Sequence, residues 1–155
     1  MKNLFLIFAL LISCTLTVQA QNVIGKISDG KYVITMDTNE IKLAGEALLT
    51  KQGITARLTR FEILQDRVDG AGDIYYFLLA QTDDNSIKLA TTLSLKNGSF
   101  YPEGNYLFSG SITCSGCSRG CNPRHEKSSD GITDWYCTAC AKGTVGGCTK
   151  TVTMD

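Results

Sequence analysis

The sequence predicts an α+β fold: an antiparallel β-sheet meander with one packing helix, followed by a small cysteine-rich β/loop segment at the C-terminus. Three observations predict it. Short β-favouring runs alternate with turn residues between Val23 and Thr113, a single stretch after Asp37 carries apolar residues at helical spacing, and beyond Thr113 the chain turns to Gly, Ser and Cys.

The N-terminus reads as an export signal. Lys2 opens a short positive region, Leu4 to Ile12 form an unbroken apolar run, and Val18-Gln19-Ala20 supplies the small residues at which a signal peptidase cuts. Residues 1–20 are therefore expected to be removed and Gln21 to begin a secreted or periplasmic chain. The apolar run falls short of the roughly 18 residues needed to span a bilayer, and no later stretch reaches that length, so no transmembrane span is expected. The same region contains Leu11-Ile12-Ser13-Cys14, which resembles a bacterial lipobox and offers an alternative in which the chain is lipid-anchored through Cys14. The short tether between Cys14 and apolar Val23 weighs against it.

After the signal, Val23 to Met36 reads as a hairpin around Ser28-Asp29-Gly30-Lys31, because Asp-Gly supplies the positive backbone angles of a tight turn. Asp37 can cap a helix with Glu40 three residues on, and Ile41, Ala44, Gly45 and Leu48 form its apolar stripe before Gly53 ends it. Four strands are expected next, over Thr55–Leu64, Ile74–Thr82, Ser86–Leu95 and Asn105–Thr113. In the third of these, Ile87, Leu89, Leu93 and Leu95 should face a core, while Lys88, Thr92 and Ser94 face water. Asp83-Asp84-Asn85 and Asn97-Gly98 lie at hairpin distances, which makes neighbouring strands antiparallel. One helix followed by a meander over residues 37–113 resembles the element order of cystatin-like folds; no inhibitor motif accompanies it, and element order by itself implies no function.

Composition narrows the partners. Lys+Arg and Asp+Glu each number 15, giving a formal net charge of zero, so no basic excess is available for a phosphate backbone and nucleic acid is not an expected partner. A protein or cell-surface ligand fits better. The expected division is a signal at 1–20, a body at 21–113 whose strands and helix hold the aliphatic core, and a segment at 114–155 too small to order itself by burial alone. Removing cross-links from that segment is then expected to disorder it and leave the body folded.

The staple is written in the cysteines: Cys114-x2-Cys117-x3-Cys121, then Cys137-x2-Cys140 and Cys148. An even number in an exported, glycine-rich segment reads first as three disulfides, and bonds from the Cys114/Cys117 pair to the Cys137/Cys140 pair would close useful loops. The alternative is zinc, because Cys114, Cys117, Cys137 and Cys140 have the spacing of a two-knuckle ribbon, with His125 between them as a substitute ligand. A third reading is thiol–disulfide exchange at a Cys-x2-Cys. That chemistry wants a helix N-terminus or a cation beside the thiol, and neither pair has one in sequence.

The remaining candidates are weaker. His125, the only histidine, has Ser128, Ser129 and Asp130 nearby, but adjacency in sequence does not make a triad, and a solvated loop is expected. Asp66, Asp69 and Asp73 are interleaved with glycines but lack EF-hand spacing, so an interstrand loop is expected over a calcium site. Trp135 and Tyr136 are expected to fill the cysteine-rich segment rather than form an exposed platform. No catalytic residue and no cofactor besides the alternative zinc emerges, and the expected function is a non-enzymatic binding or structural module.

Overall fold

The computed structural model describes residues 23–144 and 146–153. The signal at 1–20, the cleavage site before Gln21 and the lipobox at Cys14 lie outside the described residues. Within them the fold is α+β as expected, with strands β1 (Gly25–Ser28), β2 (Lys31–Ile34), β3 (Arg60–Arg67), β4 (Ile74–Gln81), β5 (Lys88–Lys96), β6 (Ser99–Pro102), β7 (Ile112–Ser115), β8 (Pro123–Lys127), β9 (Thr133–Cys137) and β10 (Thr149–Val152), and helix α1 (Thr38–Lys51).

Turn chemistry sets the hairpins. Asp29 and Gly30 adopt φ of 51° and 72°, and Asn97 and Gly98 adopt 50° and 77°, so each pair closes the two-residue turn whose twist suits the flanking strands. The β4–β5 turn is held differently: Asp84 accepts hydrogen bonds from the Thr82 hydroxyl (2.6 Å) and from the amide and hydroxyl of Ser86 (3.0 and 2.8 Å). All named strand pairs are antiparallel. At the centre, β5 pairs with β4 along one edge, while its other edge is shared, with Lys88–Ala90 beside β7 and Leu93–Lys96 beside β6. β6 leads on to β1 and β2, and β7 to β10. The sheet curls far enough for the Tyr32 hydroxyl of β2 to donate to Gln65 of β3 at 2.7 Å.

Helix α1 begins at Asp37, whose carboxylate accepts from the Asn39 amide at 2.9 Å, and it unwinds at Gly53, which takes φ 76°. Its buried stripe is Ile41, Gly45 and Leu49. The expected stripe was rotated from this by about one position: Ala44 is exposed and Leu48 only partly buried. Gly45 explains the rotation, because its missing side chain lets the helix axis settle onto Leu58, Leu89 and Phe108. A Cβ there would meet Leu58 Cδ1 at 2.6 Å and Leu89 Cδ2 at 3.2 Å. Gly45→Ala should therefore destabilise by about 1 kcal/mol, the overpacking outweighing the helix-propensity gain; a urea titration that finds the variant more stable would show that the core gives way freely.

Both faces of the central strands are covered. On the helix side, Ile41, Leu49, Leu78, Leu89, Leu93 and Phe100 form one cluster. On the other side, Tyr75, Phe77, Leu79 and Ala90 pack with Ile112, Cys114, Cys117, Cys121 and Trp135. The β5 face expected to lie in water is thus roofed: Ala90 is fully buried and Thr92 lines a cleft beneath the cysteine-rich segment. Three other expectations need correction. The third meander strand is followed by a strand the sequence did not suggest, β6, and Asn105–Thr113 is not a strand but a turn-rich connection that becomes extended only at Ile112. Phe108 is the cause, since it leaves the strand path to fill the space beside Gly45. Thr55–Leu64 likewise becomes a strand only at Arg60.

Candidate functional site

The six cysteines pair as Cys114–Cys137, Cys117–Cys140 and Cys121–Cys148, with Cα separations of 5.7, 5.6 and 6.2 Å. Each Cys-x2-Cys is bonded to the other and not within itself, the crosswise arrangement expected for loop closure. The bonds are packed close together: the sulfurs of Cys114, Cys137 and Cys148 lie within 4.8 Å of one another, as do those of Cys117, Cys121 and Cys148. Cys114, Cys117 and Cys121 are buried against the sheet. The zinc set Cys114, Cys117, Cys137 and Cys140 is divided between two of these disulfides, and a zinc tetrahedron built on it would first require both bonds to be reduced to thiolates. Gly120 fixes the layer to the body, since it takes φ 77° with its Cα so close to the Asn85 carbonyl oxygen that a Cβ would collide with it.

This layer carries the hairpin β8–β9, which sets His125 opposite Trp135. His125 was expected in a solvated loop. It sits instead on β8, 8% exposed, with its ring stacked on Tyr75 (centroids 4.3 Å, planes 12° apart) and the Trp135 indole edge-on at 3.9 Å. Tyr75 and Trp135 are in edge contact in turn, at 6.1 Å. The His125 amide donates to the Tyr75 hydroxyl (3.2 Å), the Trp135 indole N–H donates to the Gly110 carbonyl (3.0 Å), and His125 Nε2 faces the Thr92 hydroxyl at 3.4 Å. Burial lowers the His125 pKa to about 4, against a smaller upward pull from Asp134. The imidazole is consequently neutral at pH 7. Burial likewise pushes the Tyr75 phenol up to about 12.

Above these rings opens a cleft of about 410 Å³, lined by Tyr75, Trp135, His125, Thr92, Glu103 and Asp134 among others. Ser128 and Asp130, the neighbours of His125 in sequence, are not among its lining residues. Ser128 and Asp130 hydrogen-bond each other in the β8–β9 turn, and the Ser128 hydroxyl also lies 2.9 Å from the Ile132 carbonyl.

The Asp66–Asp73 loop is stitched to the same hairpin. The Asp69 amide donates to the His125 carbonyl, and the Lys127 amide to the Asp69 carbonyl, both at 2.9 Å. Arg124 reaches both oxygens of Asp66 at 3.1 Å and lies 3.6 Å from Asp69, which also accepts from the Tyr136 hydroxyl. Partial burial raises the pKa of Asp66, but hydrogen bonds from Arg124 and the Arg67 amide outweigh it and leave the pKa lowered. Asp66 and Asp69, two of the three carboxylates of this loop, thus face a guanidinium. Trp135, as expected, is filling.

A second cavity, of about 460 Å³, lies on the opposite side of the sheet between α1 and the β6–β7 connection. Ala44, Ala47, Leu48, Tyr106, Phe108 and Thr153 contribute to its walls, and Tyr106 is 78% exposed. No helix among the described residues is long and apolar enough to cross a membrane. Compared with protein-family models, with curated proteins and with solved structures, the chain matches none of them.

Proposed function

We propose that the protein is an exported, non-catalytic binding module whose ligand meets the cysteine-stapled face of the sheet. The observation that carries this reading is the set of three crosswise disulfides holding β8 and β9 over the sheet, because such bonds persist in oxidising compartments and are rare in the cytosol. Export through the signal at residues 1–20 supplies that compartment. A non-catalytic role is supported by the state of the one histidine, neutral and wedged between Tyr75 and Trp135, where its one side-chain hydrogen-bond contact is the long 3.4 Å approach to the Thr92 hydroxyl. The pairing between rather than within the Cys-x2-Cys units also speaks against a thiol–disulfide exchange catalyst.

The test is the intact mass of protein purified from its native host without reductant. Three disulfides require a gain of about six mass units on reduction, and the same spectrum distinguishes an N-terminus at Gln21 from a lipid-bearing Cys14. Zinc is the second reading, kept by the close grouping of the sulfurs; elemental analysis of that sample and melting with and without a chelator separate the two. Freely alkylated thiols with bound zinc and a chelator-dependent melt would replace the disulfide reading.

A further inference from the structure

We propose that Asn97 is a site of spontaneous covalent modification, in which the Gly98 backbone nitrogen closes on the Asn97 side chain and converts it to aspartate and isoaspartate. The proposal goes beyond the binding-module reading and does not depend on it.

The reaction needs only water and base. The Gly98 amide nitrogen loses its proton and attacks Cγ of Asn97, a C–N bond forms to that carbon, and the side-chain nitrogen leaves as ammonia. Water then opens the resulting succinimide at either carbonyl. One opening gives aspartate; the other gives isoaspartate, in which the backbone runs through the side chain and is longer by a methylene.

Five asparagines lie among the described residues, and four of them are held against this chemistry. At Asn39 the attacking amide would be that of Glu40, which donates to the Asp37 carbonyl at 3.0 Å. At Asn85 it would be the Ser86 amide, which donates to Asp84 at 3.0 Å, while the Asn85 side-chain oxygen accepts from Arg60. At Asn105 the Tyr106 amide donates to the Ser109 hydroxyl at 3.0 Å. Asn122 precedes Pro123, which has no amide hydrogen to lose. Asn97 is the exception. The Gly98 amide donates to no described residue, both residues are exposed, and a Cβ built on Gly98 meets nothing within 4 Å, so no neighbour crowds the nitrogen.

The turn must open for the ring to close, because Asn97 at φ 50° and Gly98 at φ 77° form the two-residue hairpin turn between β5 and β6. Opening there is local, since the tie from the turn to the neighbouring strand is the bond from the Ile27 amide to the Gly98 carbonyl at 2.8 Å. Lys26 and Lys96, each paired in register with Ser99, bring positive charge to the turn and favour the amide anion that attacks. The product acts on one half of the sheet. Turn length sets hairpin register, and the added methylene breaks the match between β5 and β6. β6 is what joins β1 and β2 to β5, whereas all three disulfides join residues between Cys114 and Cys148, on the other branch.

The test holds the oxidised protein in warm, mildly alkaline buffer, then measures its intact mass after reduction and locates any modified asparagine by peptide mapping. Folded protein should gain about one mass unit, placed at Asn97 and divided between aspartate and isoaspartate. Asn97→Gly, which leaves a Gly-Gly pair that the turn accepts, should lose that gain. The isoaspartyl form, separated by chromatography, should show amide-exchange protection lost in β6 and β1 and retained in β7 to β10. No gain in the folded protein over a period in which the urea-unfolded chain converts would overturn the assignment, as would a gain that survives Asn97→Gly or maps to another asparagine. An isoaspartyl form protected like the starting protein would overturn the effect on the sheet.

Discussion

Replacing Cys114 and Cys137 together by alanine should lower the unfolding free energy by about 3 kcal/mol, and the loss should reach beyond the cysteine-rich segment. The magnitude follows from loop closure: the bond spans 23 residues, and restraining a loop of that length removes chain entropy equivalent to about 3 kcal/mol. Opening Cys117–Cys140 as well should add less, since it closes almost the same loop across another 23 residues and the two restraints overlap. The reach follows from packing. Cys114 lies in β7, which pairs Cys114, Thr113 and Ile112 with Lys88, Leu89 and Ala90 of β5, and the layer above roofs Phe77 and Leu79 of β4. Amide exchange should therefore show lost protection in β7 to β10 and also in the first half of β5. Protection lost only beyond residue 113 would restore the division expected from composition, in which the body folds without its cover.

Acid should unfold the protein in two stages, and the first belongs to His125. Its folded pKa of about 4 is depressed from 6.5, so between those values the unfolded chain takes up a proton that the folded chain refuses. Stability is whole above pH 6.5, declines as pH falls through that window, and levels off below pH 4 once the folded state is protonated too. The full span amounts to at most about 3 kcal/mol. Groups facing the ring moderate it: Asp134 on β9 favours the imidazolium, while Tyr75 and Trp135 deny it water. The second stage comes from carboxylates. Asp84, held at about 2 by the Thr82 hydroxyl and Ser86, and Asp66, lowered beside Arg124, stabilise the fold above their ordinary value of 3.8 and stop doing so as pH drops through their folded values. Urea titrations at several pH values measure the whole profile. His125→Phe should flatten the stretch between pH 6.5 and 4 and spare the acid limb; an unchanged slope there would mean that His125 titrates normally.

Local chemistry was legible in the sequence, and the second layer was not. Asp29-Gly30 and Asn97-Gly98 announce their turns because few other residues accept two successive positive φ values, and Asp37 and Gly53 mark the ends of α1 for similar backbone reasons. The roof over β5 left no such trace. Lys88, Thr92 and Ser94 look like a solvated face, yet on that face small and hydroxyl-bearing side chains such as Ala90 and Thr92 are what leave room for disulfides and stacked rings above them. Thr91 shows how polarity misleads: it is 1% exposed and satisfied by donating its hydroxyl to the Ser109 carbonyl at 3.0 Å. The His125 cleft was illegible because Tyr75, Thr92, Glu103 and Trp135 come from four separate parts of the chain. Only tertiary packing brings them to one histidine.

The shared edge of β5 has a consequence for communication across the sheet. Where β6 and β7 part company along that edge, residues 103–111 pass through the fork, and this one connection furnishes wall to both cavities: Glu103 and Gly110 to the cleft over His125, and Tyr106 to Ser109 to the groove beside α1. Its tethers point both ways as well, with Gly110 fastened to the Trp135 indole and Phe108 lodged against the helix at Gly45. One connection thus walls two chambers on opposite faces of the sheet, so a substitution that displaced it on one side would be expected to alter the wall on the other.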